Sequence, residues 1–572
     1  MPRGEDEPFG DEELDGDFEG GRGRRRDLAD PDSFAGVDEL GARAHASDEH
    51  GESDDIDPDL DAPDAAYTVG GGSRGGIGGI GQLGDNLATG PVPDLLGAED
   101  AELHELDDQG VEEQPSDPNG QQARRELMAV EAELNQRWPE TKIAPSLARI
   151  EALVTLLGEP HRGYPVLHVA GTNGKGSVSR MIDALLTRMG LRVGRYTSPH
   201  LQLVTERIAL DGHPISAAKY VDLFRDVAPY VTMVDGASED GVPMSKFEVL
   251  TGMAFAAFSD APVEAAVVEA GMGGAWDATN VADGDVAVIT PIGIDHVEYL
   301  GPKAVDAARE KAGIIKPGSV AVIAEQDQDV LNVLLERAVS VDAAVARAGS
   351  EFGVLEREVA VGGQLLKLQG LGGVYDDIFL PLHGAHQAAN AALALASVEA
   401  FFGAGKDKQL VIEAVREAFA EVENPGRLER VRAAPTVLID AAHNPMGARA
   451  LATTVAEEFA FRRLVAVVAV MAEKDARGIL DALEPVVSEV VITRNSALRS
   501  MPLDELNEQA ISIFGEDRVL AEPDLETAVE TAIGLVEQSD DPEEPLAGGG
   551  VLVTGSVVTA GDARTLFGKE PS

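Results

Sequence analysis

The sequence predicts a mostly parallel α/β protein of two α/β domains, preceded by an acidic stretch without a core. Three observations lead there. Residues 166–189 read as strand, glycine-rich loop and helix. Short apolar strands then alternate with amphipathic helices along most of the remaining chain. The first 120 residues hold 34 Asp and Glu against 7 Arg, half of the net charge of −54, and few large apolar side chains.

Residues 1–122 are therefore expected to be unstructured. Acidic runs at 5–19 and 48–61 and a glycine tract at 70–81 cannot bury enough apolar surface to offset the entropy of ordering. The tract contains Gly76-Ile-Gly78-Gly-Ile-Gly81, but it lacks strand-to-helix context and carries no nucleotide reading. Arg22, Arg24, Arg25 and Arg26 read as a solvated patch.

A first domain is expected over 123–424. Helical periodicity covers 124–138 and 146–157, and the strand 166–169 leads through the glycine loop into a helix over 178–189. Strands follow at 192–196, 265–269, 286–290 and 320–324, with helices at 247–258, 303–313 and 330–339. Residues 352–382 read as short β-hairpins, and 386–403 and 409–422 as helices. A second domain is expected over 425–572, after Pro425-Gly426. Its strands are 437–440, 464–470, 489–493, 519–521 and 551–554, with helices 447–459, 476–487, 503–514 and 524–537 between them. Five strands in so short a span suit a doubly wound domain. Residues 538–549 read as an acidic loop.

Composition removes whole classes of function. The chain has no cysteine, which excludes disulfides, cysteine zinc sites and thiol catalysis. No apolar run approaches the roughly 18 residues of a membrane span, and the acidic N-terminus lacks an apolar signal region, so a cytoplasmic protein is expected. The acidic surface repels nucleic acid. Neither a nucleic acid nor a membrane partner is expected.

The chemistry concentrates at the glycine loop, Ala170-Gly171-Thr172-Asn173-Gly174-Lys175-Gly176-Ser177. Backbone N–H groups of such a loop approach phosphate oxygens, and the helix start adds a positive dipole end. Lys175 would reach the β- and γ-phosphates, and Ser177 could offer its hydroxyl to Mg²⁺. The pattern predicts a nucleoside triphosphate, although Gly176 stands where a hydroxyl residue usually follows the lysine. Glu269 ends an apolar strand and leads into Gly271-Met-Gly273-Gly274, the place where α/β sheets put metal-binding carboxylates. His296, after the next strand and beside Asp295, reads equally as a structural histidine or a metal ligand. Lys311, read alone, is a surface helix lysine.

Ten motifs in order resemble the folylpolyglutamate synthase/dihydrofolate synthase family, a branch of the Mur-type amide ligases. They are HVAGTNGKGS (168–177), TSPHL (197–201), ERI (206–208), FEVLT (247–251), EAGMGGxWDATN (269–280), ITPIGIDH (289–296), REKAGIIKPG (309–318), GAHQAANA (384–391), PGRLE (425–429) and DAAHNP (440–445). The resemblance implies a P-loop-type Mur ligase central ATPase domain and a C-terminal Rossmann-like domain. It implies that ATP phosphorylates a carboxylate and that the amine of L-glutamate displaces phosphate. The pterin substrate is dihydropteroate, a reduced folate or both, and a bifunctional enzyme is expected.

By motif position the resemblance implies nucleotide contacts from residues 171–177, from Asn390 to adenine, and from Arg427 and Asp440. It implies Mg²⁺, two ions in all, held by Ser177, Ser198, Glu269 and His296. It further implies catalytic roles for Lys175, Lys311, Asp440 and His443, with Lys311 carbamylated, and it allows a monovalent cation. Lys474-Asp475 resembles the family's basic-acidic pair on the same face. A monomer is expected. Two positions depart from the pattern. Ala275 replaces the usual arginine, whose anchoring contact Arg207 or Arg309 could supply, and Ala441 stands in the turn of DAAHNP. The alternatives are a cell-wall Mur ligase and a nucleotide-binding protein that has lost catalysis. The former usually carries an extra UDP-binding domain, and only about 45 residues with helical pattern precede the loop here.

Overall fold

The computed structural model describes residues 118–137, 145–238, 241–403, 405, 408–538 and 548–571. The expected acidic extension, with its glycine tract and arginine cluster, lies outside the described residues up to 117. At 118–122 the expectation is corrected: the first helix, Pro118–Leu134, already runs through them. Most of the loop expected over 538–549 also lies outside.

Strand alternation builds the first sheet. In β1 (Val166–Ala170) all five residues are buried, and pleating sends Leu167 and Val169 to one core and Val166 to the other. The further strands are β2 (Val193–Tyr196), β3 (Ile208–Leu210), β4 (His213–Pro214), β5 (Ala265–Glu269), β6 (Val286–Ile289), β7 (Val320–Ile323) and β8 (Ala344–Arg347), in the order β4-β3-β2-β5-β1-β6-β7-β8. β2, β5, β1, β6, β7 and β8 are mutually parallel, whereas β3 and β4 form an antiparallel edge. Helices cover both faces: Lys175–Arg188 and Ala385–Phe401 on one, Ala148–Leu156, Ala217–Ala237 and Lys246–Asp260 on the other. The chain leaves β1 toward β2 on one side and later fills β6 on the other. The glycine loop thus opens at the point where the winding reverses, the usual ligand position of such sheets.

A three-stranded antiparallel sheet follows, β9 (Gly353–Ala360), β10 (Gly363–Gln369) and β11 (Val374–Leu380), as the hairpin reading expected. The second α/β sheet contains β12 (Glu429–Ala433), β13 (Thr436–Ile439), β14 (Arg463–Val468), β15 (Glu489–Ile492), β16 (Val519–Ala521) and β17 (Gly549–Thr554), ordered β12-β13-β17-β14-β15-β16. It has six strands rather than five, because the charged Glu-Arg-Val-Arg-Ala stretch adds an antiparallel edge. Within β14, Leu464, Ala466 and Val468 face one core and Val465 and Val467 the other.

Besides the four-residue helix Val297–Leu300, two longer helices were missed from the sequence. Ala217–Ala237 contains Pro229, a residue that removes a helical hydrogen bond. Yet Tyr220, Phe224, Val227, Val231 and Val234, spaced by four and three, bury one stripe against the sheet. Val557–Leu566 is short and rich in Thr, Gly and Ala. Among the described residues no helix is long and apolar enough to cross a membrane.

Candidate active site

The loop after β1 is fixed by steric necessity. A Cβ on Gly171 would lie 1.8 Å from Thr290 Oγ1, and Gly174, at φ +89°, would bring one to 2.9 Å from Asn390 Oδ1. Only glycine fits either position. Thr172 exchanges hydrogen bonds with Gly293: its hydroxyl donates to the carbonyl at 3.1 Å and accepts from the N–H at 3.0 Å. Lys175 donates to the carbonyl of Thr172 at 3.3 Å, a long bond that a phosphate oxygen could replace. Gly176 lies beside Glu269, whose Oε2 would stand 3.7 Å from its Cβ. Glycine therefore keeps the carboxylate close to the loop.

Glu269, at the end of β5, is 4% exposed. Burial pushes its pKa up, while Lys175, the Ser198 N–H at 3.4 Å and Arg427 hold it down. A buried carboxylate with so little direct pairing fits a cation, and the expected hydroxyl partners are Ser177, in the first turn of the helix Lys175–Arg188, and Ser198, on the loop after β2. Among the described residues no group of three or more His, Cys, Asp or Glu side chains surrounds one metal position. The expected set has only two such residues, so phosphate and water oxygens would complete a Mg²⁺ shell, the usual habit of that ion. His296 sits at φ +50° just before the short helix Val297–Leu300. Burial and then Lys474 lower its pKa to about 4, so it is neutral and able to ligate at pH 7.

Lys311 reverses its sequence reading. It is 4% exposed, and its Nζ donates to the carbonyl of Gly171 at 2.7 Å. Burial, with Lys175 next, lowers its pKa to about 7. The helix Ala304–Lys311 turns it inward beneath the phosphate loop.

The second domain supplies the opposite wall. A cavity of about 1650 Å³ lies between Asn173, Gly174, Ser177, His296 and Asn390 on one side and Arg427, Asp440, His443 and Lys474 on the other. Asp440 was expected among the catalytic groups, but its carboxylate accepts the N–H groups of Leu428 at 2.9 Å and Ala442 at 2.8 Å. Its position is that of a shaping residue for the turns carrying Arg427 and His443. His443 Nδ1 lies 3.0 Å from the Ala441 carbonyl, which places the ring proton on Nδ1 and leaves Nε2 as an acceptor. Burial, then Lys474, lowers its pKa to about 4. Asn390 has its amide against Gly174 and bonds Gln387 at 3.1 Å, which places it over the phosphate loop.

Three contacts across the cleft, and one from the end of the first domain, were not foreseen. Asn444 and Asn173 exchange amide hydrogen bonds at 2.9 and 3.1 Å. Asn444 also donates to Asp295 at 3.2 Å, and Lys474 reaches the same carboxylate at 2.6 Å. Asn424 donates to Ser177 Oγ at 2.7 Å. Asn444 had a local signal, since an Asn before a Pro marks a helix cap, and its Oδ1 does accept the Gly447 N–H. Asn424 had none.

The two departures have local answers. Ala275 is held by its own N–H on the Glu310 carbonyl at 2.9 Å and by Asn280, whose amide donates to the Ala275 carbonyl at 3.0 Å. Arg309 pairs with Asp306 and Arg207 with His200. Ala441, 1% exposed, fits its turn and donates to the Gly426 carbonyl.

Residues 242–398 match the Mur ligase middle domain, and residues 426–557 match the Mur ligase glutamate ligase domain. The chain is 58% identical over 460 residues to a dihydrofolate synthase/folylpolyglutamate synthase of Mycobacterium tuberculosis, covering 78% of this chain and 94% of the relative. It is 34% identical to the Bacillus subtilis protein of that name, covering 60% of this chain and 80% of the relative. The Mycobacterium tuberculosis folylpolyglutamate synthase complexed with ADP superposes with a TM-score of 0.76 at 57% identity, over 79% of this chain and 100% of that one. The Escherichia coli FolC complex with DHPP and ADP gives 0.66 at 28% identity, over 77% and 97%.

Proposed function

The chain belongs to the dihydrofolate synthase/folylpolyglutamate synthase family of Mur ligases, and from that premise we propose that it is an ATP-dependent ligase forming carbon–nitrogen bonds. It joins L-glutamate to dihydropteroate and to the glutamyl tail of reduced folates through an acyl phosphate. The observation that carries the reading is the two-sided cleft. Phosphate-loop and metal-type groups stand on one wall, Arg427, His443 and Lys474 on the other.

The reaction first makes a poor electrophile reactive. A carboxylate oxygen of the pterin substrate attacks the γ-phosphorus of ATP, and ADP leaves. The glutamate nitrogen then attacks the acyl carbon, losing a proton, and inorganic phosphate departs as the amide forms. Mg²⁺, when bound, would neutralise charge between the approaching anions. Lys175 and the N–H groups of residues 171–177 bind the phosphates. Ser177, Ser198, Glu269 and His296 are the groups that would hold the metal. Lys311, with its amine neutral above about pH 7, can add to the carbon of CO₂ and release a proton, giving the carbamate. His443 is too weakly basic to store an ammonium proton; its Nε2 suits orienting the incoming amine. Closing of one domain on the other excludes water from the acyl phosphate.

The two sheets support domains at 123–424 and 425–572. The reading includes a monomer acting in the cytoplasm, because one chain supplies both walls. The test is phosphate release from ATP with L-glutamate and, in separate reactions, dihydropteroate, a reduced folate or a UDP-muramyl acceptor. Release with both pterins is expected. Release with one pterin would leave a single activity, turnover only with the muramyl acceptor would replace the reading, and none at all would point to Ala275 and a degenerate site.

A further inference from the structure

The loop carrying Ser198 is gripped from the far side by the second domain. Residues 197–203 connect β2 to the turn at 204–207, and the Glu206 carboxylate gathers the loop from within, accepting the N–H groups of Leu201, Gln202 and Leu203 at 2.8, 3.1 and 3.0 Å. The helix Val557–Leu566 presses on the same segment. A Cβ on Gly561 would stand 1.9 Å from the Leu201 carbonyl oxygen, so only glycine permits the approach. Leu201 itself packs into the core of the second domain.

Arg564 is the centre of this contact. It is 4% exposed, and its Nε donates to Gln202 Oε1 at 2.9 Å. Its two terminal nitrogens reach Glu429 Oε2 at 2.5 Å and the Glu570 carbonyl at 2.6 Å. The Gln202 amide in turn donates to Thr565 Oγ1 at 3.2 Å and to the Lys569 carbonyl at 2.9 Å. Glu429 accepts the Gly426 N–H at 2.8 Å, next to Arg427. One buried guanidinium thus joins the loop of Ser198, the segment of Arg427 and the end of the last helix.

We propose that Arg564 is a positioning residue: through Gln202 and Glu429 it sets Ser198 and Arg427 in place together, and only when the second domain is docked. Ser198 stands at the metal in the functional reading above, on which the proposal rests. Arginine suits the role because its planar fork points donors on three separate nitrogens at three spaced acceptors, whereas the three donors of lysine radiate from one nitrogen.

The experiment compares the full chain with Arg564→Ala, Arg564→Lys and Gln202→Ala. Hydrogen exchange at the amides of Leu201 to Leu203 is followed with and without Mg²⁺ and ADP, and the Mg²⁺ dependence of turnover is measured beside it. Arg564→Ala is expected to speed exchange there and to raise the Mg²⁺ concentration for half-maximal rate about tenfold, since small misplacements in a site cost that much or more. ADP affinity without Mg²⁺ falls only several-fold, from the loosened Arg427, because the phosphate loop is untouched. Arg564→Lys falls between. Gln202→Ala, which leaves the Glu429 pair intact, reproduces the exchange change and keeps the test readable if Arg564→Ala does not fold. Unchanged exchange in the variants overturns the proposal, and so does faster exchange with unaltered Mg²⁺ dependence. If the parent chain turns over nothing, the functional reading falls instead, and the Mg²⁺-induced protection of 201–203 still decides the role of Arg564.

Discussion

Lys311 is the residue whose role depends most on its surroundings. Its pKa near 7 means that folding buries an amine that an unfolded chain would keep protonated up to pH 10.5. The sign follows from that difference: the folded pKa is depressed, so the unfolded state holds the extra proton between pH 7 and 10.5 and stability rises with pH across that window. Below pH 7 the full penalty applies. In CO₂-free buffer Lys311→Met is therefore expected to raise Tm by a few degrees, more at pH 6 than at pH 9, while turnover disappears. A Tm that falls equally at both pH values would show the lysine to be an ordinary packing residue. Lys311→Ala should lower kcat about 10²-fold or more, the scale of losing one preorganised charge, while ADP binding persists; near-normal turnover would remove the carbamate. With dissolved CO₂ held equal, activity should return faster at pH 8 than at pH 6 after CO₂ depletion, because only the neutral amine adds to CO₂.

At the scale of elements, the β1 loop is the one whose sequence and shape are inseparable. Gly171→Ala forces an overlap with Thr290, and the strand end must shift to relieve it. We expect loss of measurable ADP binding and a lower Tm, read by calorimetry; retained affinity would mean that Thr290 can rotate away. The helix Ala217–Ala237 teaches a different lesson. Its apolar stripe is present in the sequence around Pro229, and burial of five large side chains outweighs one missing hydrogen bond. Strands β3, β4 and β12 are short or charged, and they form only because a neighbouring strand offers unpaired backbone groups.

At the scale of the whole molecule, the domains meet through polar groups that have no meaning within either domain. Lys474 and Asp295 are about one-tenth exposed each, and removing one partner of a buried pair costs about 3–5 kcal/mol. Lys474→Met should therefore weaken docking of the domains, visible as a larger radius of gyration with ADP and as a fall in kcat of at least about tenfold. An unchanged radius would mean that the Asn173–Asn444 exchange and the buried Glu458, which accepts from His383 and the Gly384 N–H, suffice to hold the arrangement.

The phosphate loop, the alternation of strands and helices, and the polar residues just past strand ends were legible in the chain, because each rests on local spacing and backbone sterics. Glu269 and His296 were legible from their place just past a strand. Folding at long range set the burial of Lys311, the reach of Asn424 to Ser177, and the contacts of Asn444 and Arg564 with the first domain. Those facts depend on contacts over more than a hundred residues of chain. A side chain's charge, partner and burial are set by what folds against it, and local periodicity holds no record of that.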